Sequence, residues 1–264
     1  MNISARCYSF LVSLHQSRKL ARIKRDNGHL DRVRSLLKCG YEIDLRLSDH
    51  IAQRLLLSGN YEAEVSNAIF ALIKPGMIVL DIGANIGIHT LHMARRVGRQ
   101  GRVLAFEPNV VVREELEKNI SINKITNVSV LKVALWERGG EETFYFPEDG
   151  MEAMGGLKPN SRFKVASEAK VETARLDSVL AQLNIRQVDF IKIDVEGAEL
   201  NVLKGAGSLL DDNQRPPIMY EANPSNSLFY SYTPDELHQF LRAKNYEVEN
   251  LCEDNYLALP RCYS

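Results

Sequence analysis

The sequence predicts an α/β fold: a mostly parallel central sheet with helices on both faces, a C-terminal antiparallel hairpin, and a small N-terminal cap of helix and strand. Three observations predict it. From residue 77 onward, short apolar runs alternate with segments of helical period. The connections between them carry glycine, proline or asparagine. Four apolar runs end in a carboxylate, at Asp81, Glu107, Asp194 and Glu221. Ligands of parallel sheets bind beyond the carboxyl ends of the strands, so four acids there describe the rim of a site.

The elements follow in order. Residues 1–40 have helical character with basic faces, "GYEIDLRL" (40–47) alternates as a strand does, and 60–73 carries Val65, Ile69, Leu72 and Ile73 at helical spacing. "KPGM" (74–77) breaks the chain. This divides a basic arm and cap, 1–74, from a main domain, 75–264. There "MIVLDIG" is a strand ending in a glycine turn, and the helix after it closes at Gly98. "GRVLAFEP" is a second strand, followed by a helix with Asn109 as N-cap. "NVSVLKVAL" reads as a third strand. Residues 139–174 interrupt the rhythm with a hairpin strand and a long loop containing Met151, Met154, Gly155 and Gly156, a candidate substrate lid. "RLDSVLAQLN" is a helix, "VDFIKIDVEG" a fourth strand with a helix from Ala198, and "PPIMYEANP" a fifth strand. A helix capped by Thr233 with Pro234 at its first position precedes the final hairpin.

Composition narrows the function. With 264 residues, 45% hydrophobic and 25% charged, the chain can bury a core without staples. The net charge of −1 conceals a basic N-terminus: residues 1–40 hold nine Lys/Arg against two Asp/Glu. Such an arm can make a peripheral contact with anionic lipid; a solvated helix face is the plainer reading. No basic patch interleaved with aromatics points to nucleic acid. Cys7, Cys39, Cys252 and Cys262 form no CxxC pair, which reads as reduced thiols in a cytoplasmic protein, with contact at the membrane surface left to the arm.

"VLDIGANIG" (79–87) leaves a strand and opens a helix, with Gly83 and Gly87 allowing a tight turn. A dinucleotide fingerprint would need glycine where Asn85 and Ile88 stand, which disfavours an NAD(P)-dependent oxidoreductase. Glu107 ends the next strand, where a carboxylate can accept from both ribose hydroxyls. Together these residues point to a nucleoside ligand.

The stretches "VLDIGANIG", "AFEPN", "LDSVL", "VDFIKIDVEGAELNVLKGA" and "YEAN", prefaced by "GNYEAE" and "IKPGM", resemble the FkbM family of class I S-adenosylmethionine-dependent methyltransferases over roughly residues 59–222. The resemblance implies a Rossmann-like fold and S-adenosylmethionine as cofactor. It implies that Asp81, Gly83, Asn85 and Gly87 line the methionine end, that Glu107 holds the ribose, and that Asn109 and Ala134 flank the adenine. Tyr61 and Glu62 would lie over the cofactor. The implied acceptor is a sugar, glycan or glycosylated metabolite; a catalytically silent binding subunit with the same fold is the rival from another class.

A neutral hydroxyl is a poor nucleophile and needs a base or a metal. Asp194 is the candidate base, Glu196 a chemical or substrate-binding partner, and Glu199 structural. Lys192 shares a strand face with Asp194 and would offset the negative charge of the site. Asp194, Glu221 and Asn223 also resemble the Mg²⁺ ligands of catechol-type methyltransferases, a reading kept behind the metal-free one. His89 could face the methyl group and Trp136 could line the site, although both residue types more often pack.

Overall fold

A computed structural model describes residues 19, 21–23, 25, 31–148, 151, 154–211 and 215–261. Most of the basic arm therefore lies outside the described residues, as do Cys7 and Cys262. Cys39 and Cys252 are free thiols.

The main sheet has seven strands. β3 (Ile78–Ile82), β4 (Arg102–Phe106), β5 (Val128–Leu131), β9 (Phe190–Ile193) and β10 (Ile218–Glu221) run parallel; β11 (Tyr246–Cys252) and β12 (Asn255–Pro260) form the antiparallel hairpin. The strand order is β11-β12-β10-β9-β3-β4-β5. β3 and β9 are therefore neighbours at the centre, and Asp81 lies beside Lys192 in register. This is the expected Rossmann-like arrangement.

Alternation along the strands builds two cores. Leu80, Ile82, Ile191 and Ile193 face α5 (Leu176–Gln182), α6 (Glu199–Lys204) and α9 (Pro234–Ala243). Val79 and Phe190 face α2 (Ala63–Leu72) and α3 (Ile88–Val97). Thr233 caps α9 in a full capping box with Glu236.

The cap is a hairpin of β1 (Arg32–Leu36) and β2 (Glu42–Arg46), then α1 (His50–Ser58). The helical reading of residues 1–40 thus fails at 32–36, where pairing with β2 overrides local propensity. Ile43, Leu45 and Ile51 pack with Ile86, Leu91 and Val112, so the cap closes over the glycine turn. Asn119, on α4 (Val110–Ile122), fastens it: its side chain accepts from Asp44 N at 2.8 Å and donates to Ile86 O at 2.9 Å. Arg32 adds a two-pronged ion pair with Glu115.

Two further expectations need correction. "NVSVLKVAL" is two strands: after β5 the chain leaves the main sheet, and β6 (Ala134–Leu135) joins a three-stranded sheet with β7 (Gly140–Pro147) and β8 (Val165–Ala174). β8 carries no large apolar residue beyond Val165 and Val171, and seven of its ten residues are exposed, so neither face shows the apolar stripe that marks a strand. The remaining elements are α7 (Gly207–Asp211), α8 (Pro224–Ser227) and a 3₁₀ turn (Leu228–Tyr230).

Candidate active site

The carboxyl ends of β3, β4, β9 and β10 open into a cleft. Its walls come from the glycine turn, the β4–α4 junction, Val133–Leu135 with Phe144, the β9–α6 turn, and the cap with loop residues 154–157 and 162.

The glycine turn is shaped by crowding. Gly83 has φ +81, and a Cβ there would sit 1.8 Å from Asp194 O, so only glycine lets the ends of β3 and β9 meet. Gly87, at φ +96, would drive a Cβ to 2.6 Å from the Leu116 side chain. Asn85 is left-handed at φ 51, a conformation asparagine tolerates better than most residues. Its side chain accepts from Ile86 N at 2.7 Å, and its own amide donates to Glu107 Oε2 at 2.9 Å.

Glu107 is the focus of this half. Its second oxygen, Oε1, accepts from Asn109 N at 2.9 Å. Each carboxylate oxygen thus holds one backbone amide and keeps a lone pair for another donor. Burial pushes Glu107 up to about 7 against the pull of those two amides. Asn109 lines the cavity but also caps α4, accepting from Val111 N at 3.0 Å. Ala134 lines the cavity as well.

Asp81 does not line it. The side chain is fully buried, Oδ2 accepts from Thr90 Oγ1 at 2.5 Å, and Oδ1 lies 3.8 Å from Lys192 Nζ. Gly87 likewise stands behind the wall. Both act on the turn's shape.

In the opposite half, Asp194, Glu196 and Glu221 line the cavity together. Asp194 keeps 30% of its side chain exposed and accepts from Lys192 Nζ at 3.1 Å. Lys192 itself is buried and outside the lining. Burial alone would lower its pKa, but the charges of Asp194, Asp81 and Glu62 outweigh burial and raise it. It is therefore an anchored cation beneath the site, beside the acids whose negative charge it is expected to offset. Glu196, in a left-handed conformation at φ 53, is pushed up to about 8 by burial and the Asp194 charge. It accepts from Asn226 Nδ2 at 2.9 Å and Arg162 Nη1 at 3.3 Å. Burial and Asp194 also raise Glu221 well above its ordinary value.

Glu199 is structural, as expected. It is buried, and Oε1 accepts from Val195 N and Gly197 N, tying the turn that carries Glu196. Asn223 does not complete an Asp194–Glu221 ligand set: Oδ1 caps α8 and Nδ2 donates to Asp254 at 2.7 Å. His89 Nε2 donates to the Glu62 carboxylate at 2.9 Å, and Trp136 packs against Tyr230. Arg54, Arg162 and Asn226 were not foreseen. They reach the site from a helix, a loop and a short helix whose local sequence carries no motif.

Residues 81–248 match the family model of the methyltransferase FkbM domain. Among curated proteins, the chain is 32% identical over 154 residues to methyltransferase sdnD of Sordaria araneosa, spanning 48% of this chain and 59% of that one. It is 28% identical over 151 residues to the hexuronic acid methyltransferase AglP of Haloferax volcanii (56% and 58%). It is 25% identical over 161 residues to the 2-O-methyltransferase NoeI of Sinorhizobium fredii (56% and 65%). The chain spans less than two thirds of the length of each relative.

Proposed function

Because the chain belongs to the FkbM methyltransferase family, we propose that it transfers a methyl group from S-adenosylmethionine to a hydroxyl oxygen of a sugar, glycan or glycosylated metabolite. The observation that carries the cofactor assignment is Glu107: a cavity-lining carboxylate with one backbone amide on each oxygen and room on both for a ribose hydroxyl. The residues present therefore fit the group. Asn109 and Ala134 would border its adenine, and the glycine turn its methionine end. The hydroxyl acceptor is supported by the carboxylates facing Glu107's side of the cavity and by the names of two relatives, a hexuronic acid methyltransferase and a 2-O-methyltransferase.

When bound, the cofactor supplies an electrophilic methyl on a sulfonium. The protein's part is position and proton handling. Asp194 takes the acceptor's proton, oriented by the buried Lys192 ammonium. Glu196, with its raised proton affinity, holds the acceptor hydroxyl and shares the proton. Met154, Gly156, Leu157 and Arg162 contribute to the wall, which supports reading their loop as a lid for the acceptor. The Lys/Arg excess of residues 1–40 supports a peripheral contact with anionic lipid, which vesicle flotation at low salt tests.

Calorimetry with S-adenosylhomocysteine tests the cofactor assignment. Glu107→Ala loses a charge-assisted acceptor, and affinity is expected to fall about tenfold or more with the fold intact. Unchanged affinity removes Glu107 from the site.

A further inference from the structure

The methionine end of S-adenosylmethionine carries a carboxylate and an ammonium, and the strand-end acid that the resemblance puts at that end, Asp81, is fully buried, held by Thr90, and outside the cavity lining. Other charges must serve. The cap places two on the cavity wall, Arg54 from α1 and Glu62 at the start of α2.

Both charges are held in place. Glu62 sits left-handed at φ 46, a strained conformation for this residue, and such outliers concentrate where a side chain must be aimed. Its carboxylate is fixed by His89 Nε2 at 2.9 Å. Burial works against its charge, but the His89 hydrogen bond and the His89 and Lys192 charges outweigh burial and hold its pKa at about 2. Arg54 lies over the Tyr61 ring, 5.5 Å from its centroid. Arg54, Tyr61 and Glu62 line the same cavity as Asp194 and Glu196, so this corner of the cap faces the acids at the end of β9.

We propose that the cap completes the cofactor site, with Arg54 binding the carboxylate and Glu62 the ammonium of the amino-acid end. The inference rests on the methyltransferase reading above. It makes the cap, which precedes the residues 81–248 matched by the family model, part of the binding site.

Two ligands separate the ends of the cofactor. S-adenosylhomocysteine carries the amino-acid arm; 5′-methylthioadenosine keeps the adenosine and thioether and lacks the arm. Calorimetry on the full chain is expected to show Arg54→Ala and Glu62→Gln each weakening S-adenosylhomocysteine about tenfold or more. Their affinity for 5′-methylthioadenosine should stay within about twofold of the parent's, which also shows that the variants fold. A variant that keeps its S-adenosylhomocysteine affinity, or loses both ligands equally, overturns the assignment of that residue. Glu107→Ala should weaken both ligands. A parent chain that binds neither ligand fails the methyltransferase reading itself, a result distinct from failure of the cap assignment.

Discussion

Single residues set the chemistry through burial. Glu107 is an acid lifted to about 7 because its cleft desolvates it. Ribose hydroxyls donate to an ionised carboxylate and compete poorly for a protonated one, so the bound state favours loss of the proton. Affinity for S-adenosylhomocysteine should therefore rise as pH increases through 7, by up to about tenfold per unit below it, and level off near 8. Glu107→Gln should abolish that dependence; calorimetry at pH 6, 7 and 8 checks both. Glu196, at about 8, adds a second titration. The pH profile of kcat should bend near that value, and Glu196→Gln should remove the bend. The two groups are distinguishable because one governs cofactor affinity and the other turnover.

At the scale of elements, the site depends on close approach between β3 and β9 and on the cap's grip on α4. Gly83→Ala places a Cβ 1.8 Å from Asp194 O and strains φ +81, so the strand ends must part. Several kcal/mol of destabilisation and loss of cofactor binding are expected. Asn85→Gly, which relieves a left-handed backbone, should leave stability within about 1 kcal/mol of the parent. Asn119→Ala leaves Asp44 N and Ile86 O buried without their partner. It should cost about 1–3 kcal/mol, seen as a lower urea midpoint at unchanged slope. An unchanged midpoint would show that the cap does not depend on this clamp.

For the whole molecule, the raised acids dictate how stability follows pH. Glu107 and Glu196 keep their protons when folded but lose them near 4.5 when unfolded, so their contribution is full below 4.5 and is lost as pH rises through about 7 to 8. His92, lowered to about 4 by burial and the His89 charge, acts oppositely: its contribution is present above 6.5 and lost as pH falls toward 4. Between 6.5 and 8 only the acids change, and the ligand-free protein should lose thermal stability across that window. S-adenosylhomocysteine should stabilise it more at pH 8 than at pH 6. A flat melting temperature across the window would contradict the buried acids.

Much of this arrangement was legible in the sequence. β3, β4, β9 and β10 announce themselves as apolar runs ending in acids, and "DIGANIG" with "KIDVEGAE" marks both halves of the cavity. What stayed hidden depends on tertiary contacts. A strand-end acid looks alike whether it faces the cavity, as Glu107 does, or turns back onto Thr90 and Lys192, as Asp81 does. β8 has wet faces and no apolar period. Arg54 and Arg162 arrive from the cap and the loop, and nothing near them in sequence says so.

The most direct test of hydroxyl methylation in this cavity uses methyl-labelled S-adenosylmethionine with a panel of hexose and hexuronate glycosides, comparing the parent with Asp194→Asn. The parent should place the label in a methyl ether on at least one glycoside. The variant keeps the shape of the side chain but cannot take a proton, so turnover at saturating acceptor should fall about 10²–10⁴-fold while S-adenosylhomocysteine affinity stays nearly constant. Label found on nitrogen or carbon, or near-normal turnover in Asp194→Asn, would contradict it.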